Sequence, residues 1–155
     1  MGRYDEAITF FDTALNADPD YIEAYYRKGT ALIGLGQYDE AIVCFDRYLD
    51  TDPRDTDVLN HKGALLNLQG KREEAISCFN KALSVHPWHY EVLYNKGVTL
   101  FLLGRYDEAA TCIKRVKEVS PNKTINTLLE ICSKRTVDND NLNFNLSNGN
   151  HHIHS

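Results

Sequence analysis

The sequence predicts an all-α fold, a solenoid of stacked antiparallel helix pairs, and three observations predict it. One short phrase recurs at a fixed interval: Gly2-Arg3-Tyr4-Asp5-Glu6-Ala7, Gly36-Gln37-Tyr38-Asp39-Glu40-Ala41, Gly70-Lys71-Arg72-Glu73-Glu74-Ala75 and Gly104-Arg105-Tyr106-Asp107-Glu108-Ala109, each 34 residues after the one before. Pro19, Pro53, Pro87 and Pro121 keep the same step, as do Gly29, Gly63 and Gly97 and the cysteines Cys44, Cys78 and Cys112. Between these landmarks apolar residues return at three- and four-residue steps, the mark of a helix with one buried face. A period of this length held at several positions at once means an array in which each unit buries its apolar face on its neighbours.

The opening helix spans Tyr4 to about Asn16, with Ala7, Ile8, Phe11, Ala14 and Leu15 on one face and Asp5 and Glu6 at the positive end of its dipole. Too few residues precede it for a partner helix, so residues 2–19 are half a unit. Complete units follow at 22–53, 56–87 and 90–121. In the first, a helix from Ile22 to Leu35 carries Tyr25, Gly29 and Leu32, and Asp20 and Glu23 are spaced as a cap and its reciprocal partner. Gly36 turns the chain, and Tyr38 to about Thr51 presents Ala41, Phe45, Tyr48 and Leu49 inward. The second unit repeats this with Leu59, Gly63 and Leu66 against Ala75, Phe79, Ala82 and Leu83; the third sets Leu93, Gly97 and Leu100 against Ala109, Ile113 and Val116. A glycine inside a helix costs about 0.8–1.0 kcal/mol relative to alanine, so three of them imply a compensating close approach, glycine on one helix facing alanine on its partner. A capping helix is expected at 124–135, with Ile125, Leu128, Leu129 and Cys132 inward, and the Asn/His-rich stretch 136–155 is expected to be disordered.

Composition narrows the function. A formal charge of −5 excludes a general nucleic-acid or anionic-membrane binder. No stretch approaches the ~18 apolar residues of a membrane span, and the early Arg3, Asp5 and Glu6 leave no secretory leader, so a cytoplasmic protein is expected. The three periodic cysteines, on successive second helices, lie too far apart for disulfides. They read as semi-buried packing residues, with a redox or metal role as the alternative. His86 and His89 flank a turn without a supporting carboxylate or cysteine, and His151, His152 and His154 have no fold to place them, so no metal or other cofactor is expected. Asn122-Lys123-Thr124 and Asn145-Leu146-Ser147 match the glycosylation pattern by chance. No nucleophile with its base, phosphate loop or catalytic carboxylate pair is present, so no catalytic residue is assigned.

From Gly2 to about Lys134 the chain resembles the tetratricopeptide repeat proteins, on the pattern Tyr25, Gly29, Leu32, Ala41, Phe45 and Pro53 and its copies. It departs where the family's tryptophan is Tyr25, Leu59 and Leu93, and where Lys28, Lys62 and Lys96 replace a leucine and must extend outward. Ile113 replaces an aromatic, which should loosen the last repeat. The resemblance implies a right-handed superhelix whose first helices line a concave groove for a partner peptide or protein segment. The groove set is then Tyr26, Arg27, Thr30, Asn60, His61, Ala64, Asn67, Tyr94, Asn95, Val98 and Phe101, with Glu23, Asp57 and Glu91 at its acidic entries. Aromatics there would anchor a ligand, the asparagines would bind its backbone and Arg27 a carboxylate; solvated polar residues with stray aromatics are the plain alternative. Members that clamp the terminal carboxylate of chaperones do so with cations, and the corresponding places here hold Tyr26, Thr30, His61, Glu91 and Asn95, so that ligand is disfavoured. The acidic entries suit a ligand of basic character. The second hypothesis is self-association into a homo-oligomer through the uncovered stripe Ile8, Phe11 and Leu15.

Overall fold

The structure, a computed structural model, describes residues 2–149. Among these there are eight helices and no strand: α1 (Gly2–Ala17), α2 (Ile22–Gly34), α3 (Tyr38–Thr51), α4 (Thr56–Leu68), α5 (Arg72–Val85), α6 (Tyr90–Leu102), α7 (Tyr106–Val119) and α8 (Lys123–Gly149). They fall into two compact units, residues 1–87 with α1 to α5 and residues 88–155 with α6 to α8.

The turn of each repeat follows from one glycine. Gly36, Gly70 and Gly104 have φ of 74°, 77° and 76°, the left-handed conformation that lets a helix end while its last carbonyls are still bonded. The Gln37 amide donates to the Leu32 carbonyl at 3.0 Å, and Lys71 and Arg105 repeat this on Leu66 and Leu100 at 2.9 and 3.0 Å. Gly70→Ala is expected to lower stability by about 1–2 kcal/mol in thermal melts, the strain of a Cβ in this conformation. Helix starts are less uniform. Asp20, expected to cap α2, does not: the helix begins at Ile22 after Tyr21, with no side-chain cap, and Glu23 turns to Arg27. Asp55 caps α4, accepting from the Val58 amide at 3.0 Å.

In the first unit Leu32, Ala41, Cys44, Phe45, Val58 and Leu65 form a buried cluster joined by Ile8, Tyr26, Ile42, Tyr48 and Leu49. The helix glycines face side chains here and not alanine backbone, which corrects that expectation. A Cβ on Gly29 would lie 2.7 Å from Phe45 Cε1, and one on Gly63 2.5 Å from Phe79 Cε1. The missing methyl is the notch that seats the ring edge. In the second unit Ile113 occupies the same notch, its Cδ1 2.6 Å from where a Cβ on Gly97 would lie, and is buried.

Lys28 and Lys62 do reach outward, and each ends on an aspartate of the preceding second helix: Lys28 Nζ to Asp12 at 2.6 Å and Lys62 Nζ to Asp46 at 2.5 Å. The bond to Asp12 holds the Lys28 ammonium above its ordinary pKa. The pairs stitch neighbouring repeats.

In the second unit α6 packs on α7 and α7 on α8. Asn122 caps α8 by accepting from the Ile125 amide at 2.9 Å. Ile125 and Cys132 are buried and Leu128 and Leu129 half-buried. Glu130 and Ser133 are exposed. The disorder expected from residue 136 is corrected for 136–149: α8 runs to Gly149. Its docked first half supplies the helix nucleus, Thr136 Oγ1 donates to Asp107 at 3.0 Å, and no glycine or proline interrupts 123–148. His151, His152 and His154 lie outside the described residues.

Candidate functional site

In the first unit two expected groove residues meet, Tyr26 of α2 and His61 of α4. The Tyr26 ring centroid lies 6.1 Å from the His61 ring, 5.9 Å from Tyr48 and 6.2 Å from Phe45 of α3. His61 stacks on Phe45 at 6.0 Å, 24° from parallel. Rings from three helices thus make one cluster, in which Phe45 is fully buried and Tyr26, Tyr48 and His61 are half-buried. A 34-residue step places Tyr26 and Asn60 in equivalent positions, yet it is His61, one residue on, that meets Tyr26.

Carboxylates surround this cluster. Tyr48 donates its hydroxyl to Asp55 Oδ2 at 2.9 Å while Oδ1 of the same group caps α4. Burial, the bond to Asp55 and its charge push the Tyr48 phenol up to about 12. Tyr26 is also raised, by burial first and then by Asp57, Asp55 and Glu23, with Arg27 opposing. A raised phenol favours the folded state below the ordinary tyrosine value of about 10, and that contribution is lost as the pH rises through about 12. Asp55→Ala removes both the cap and the acceptor and is expected to lower stability by about 2 kcal/mol. Ultraviolet titration should then show one tyrosine ionising at lower pH than in the parent.

The other groove residues are placed as follows. Arg27 is exposed and its Nε is 3.0 Å from Glu23. Thr30 is exposed and bonds back to the Tyr26 carbonyl at 3.0 Å. Asn60 is buried, unlike the open amide expected of it. Ala64 and Asn67 are half-buried farther along α4, and Asn67 Oδ1 and His61 Nδ1 are buried atoms without a hydrogen-bond partner among the described residues. In the second unit Tyr94, Asn95, Val98 and Phe101 are half-buried on α6, and Phe101 meets the Tyr106 ring edge-on at 5.4 Å. Tyr48 and Asp55 were not among the sequence-derived candidates. Asp55 has a legible signal, an aspartate three residues before a helical amide; Tyr48 has none beyond its place on an inner face.

The remaining candidates have structural partners. The four cysteines are free and buried, and burial pushes each thiol up, away from the reactive thiolate. His86 Nδ1 is 2.7 Å from Thr56 Oγ1, and His89 stacks on Tyr90. Among the described residues no three His, Cys, Asp or Glu side chains gather as a metal site, and no helix is long and apolar enough to cross a membrane. On α1, Ile8, Phe11 and Leu15 are half-buried and Phe10 is 67% exposed, packed edge-on against Phe11 at 5.3 Å.

Comparison with known proteins agrees with this architecture. The family model of the tetratricopeptide repeat matches residues 1–65 and again 66–130. No curated protein matches the sequence. Among solved structures, MamA is similar over 86% of this chain and 78% of its own, with a TM-score of 0.81 at 18% identity, a likeness of fold alone. The first TPR of Spaghetti (RPAP3), bound to the HSP90 peptide SRMEEVD, is 25% identical over 77% of this chain and 96% of its own, with a TM-score of 0.71. YrrB, described as a TPR protein with an unusual peptide-binding site, is 27% identical over 80% of this chain and 64% of its own, with a TM-score of 0.72.

Proposed function

The chain belongs to the tetratricopeptide repeat family, and on that premise we propose that it is a protein-interaction module, not an enzyme, binding an extended segment or a helix of a partner protein on its first-helix faces. The observation that carries this reading is the meeting of Tyr26 and His61 from successive first helices, both partly exposed. Aromatic rings held by packing give binding area at little entropic loss. On α6, Tyr94, Asn95, Val98 and Phe101 form the counterpart set. A solved relative bound to a peptide supports the same use of the fold. A cytoplasmic setting belongs to this proposal, supported by the four free, buried thiols.

The test is capture of partners from lysate by the full chain and by Tyr26→Ala with Tyr94→Ala, followed by affinity measurement on the captured partner. The double variant is expected to bind more weakly by about 2 kcal/mol or more. Unchanged affinity with helicity intact would reject these faces as the site.

A second reading is favoured by one observation on α1. The place of Phe10 is taken by Cys44, Cys78 and Cys112 in the other copies, all 6–7% exposed, whereas Phe10 is 67% exposed. Self-association covering Phe10, Phe11, Ile8 and Leu15 would bury this surface. Light scattering across a concentration series checks it: a dimer lost on Phe10→Ser supports the interface, and a monomer at every concentration rejects it.

A further inference from the structure

We propose that the Tyr26 cluster is a seat for a cationic side chain, arginine or lysine, of the bound segment, the cation lying on the exposed part of the ring with Asp55 and Asp57 as its counter-charge. This rests on the reading of the first-helix face as the binding face and names the chemistry that face selects. Carboxylates alone would make no site. Here they border a tyrosine whose ring is fixed by Tyr48, Phe45 and His61 at about 6 Å, and a tyrosine face attracts a cation most where charge and partial desolvation reinforce it.

Three features select a cation over other ligands. Four charges act on Tyr26, and two of them, Glu23 and Arg27, pair with each other at 3.0 Å and offset, which leaves Asp57 and Asp55 as the net charge. Asp55 is held in place by its own bonds to Tyr48 and to the Val58 amide, so its charge needs no reorganisation when a ligand arrives. The field of the whole unit has the same sign: residues 1–87 hold nine Lys and Arg against fifteen Asp and Glu, a net −6, whereas residues 88–155 hold eight against seven, a net +1. Such a field raises the encounter rate of a basic segment and repels an acidic one. An acidic peptide such as the SRMEEVD bound by the solved relative is therefore the wrong sign for this seat.

The experiment is panning of a random dodecapeptide library on the full chain, followed by affinity measurement on the recovered peptides. The expected result is enrichment of arginine or lysine at one position and depletion of aspartate and glutamate. Replacing that arginine by citrulline, a neutral isostere, should then weaken binding tenfold or more, as should Tyr26→Leu and Asp57→Asn in the protein. Tyr26→Phe, which keeps the ring face, should stay within threefold of the parent, and helicity of each variant confirms that it folds. Affinity should fall with added salt. Recovered peptides without a basic residue, or equal affinity of the arginine and citrulline peptides, overturn the seat while leaving the binding face standing. Recovery of no binding peptide overturns both.

Discussion

Phe79→Ala is expected to lower the unfolding free energy by about 3–5 kcal/mol, the range for truncating a fully buried phenylalanine. The ring is completely buried and its edge sits in the notch left by Gly63, so nothing small enough to move can fill the space it leaves. The measurement is urea denaturation followed by circular dichroism, comparing midpoints at equal slope. An internal control is available, because Phe11 holds the equivalent place on α1 and is only half-buried. Phe11→Ala should therefore lose less than half as much. Equal losses would mean that α1 is covered in solution by something other than this chain's own helices, and would favour the self-association reading.

Gly63→Val is expected to destabilise by about 3 kcal/mol, the upper end of the overpacking range, although valine has the better intrinsic helix propensity. The sign is the informative part. A Cβ at residue 63 would lie 2.5 Å from Phe79 Cε1, and the ring cannot retreat because it is buried on every side. Combined with Phe79→Ala, the valine should partly fill the cavity, so the double variant should be less damaged than the sum of the two singles by about 1–3 kcal/mol. Additive losses would show that the glycine is tolerated for a backbone reason and not for the ring. Because the 34-residue period carries the notch to Gly29 and Phe45 as well, the same pair there should behave alike.

Much of the architecture was legible in the sequence because it depends on local chemistry. A glycine recurring just after each first helix is the left-handed turn residue that the structure contains at Gly36, Gly70 and Gly104, since conformation there is limited by the Cβ alone. Apolar periodicity located α1, α2 and α3 to within a few residues, because a helix with one wet face must repeat its apolar residues at 3.6. The family followed from the same period. The end of α8 was not legible: an Asn-rich composition argues for a coil, but a helix already nucleated against α7 needs only one bond per added residue to continue.

The candidate site was legible as a list of positions and not as an arrangement. Period and helical geometry determine that Tyr26, Arg27, His61 and Tyr94 sit on first helices, and nothing in a one-dimensional pattern says which of them touch. Only the tertiary structure decided that Arg27 turns to Glu23, that Asn60 is buried, that His61 rather than Asn60 meets Tyr26, and that Phe45 and Phe79 occupy the glycine notches. It likewise decided that Asp55, and not Asp20, caps its helix while holding Tyr48. The physical reason is common to all of these. Each depends on side-chain rotamers or on contacts between helices, which the spacing along the chain does not set and which differ from one repeat to the next even where that spacing is the same.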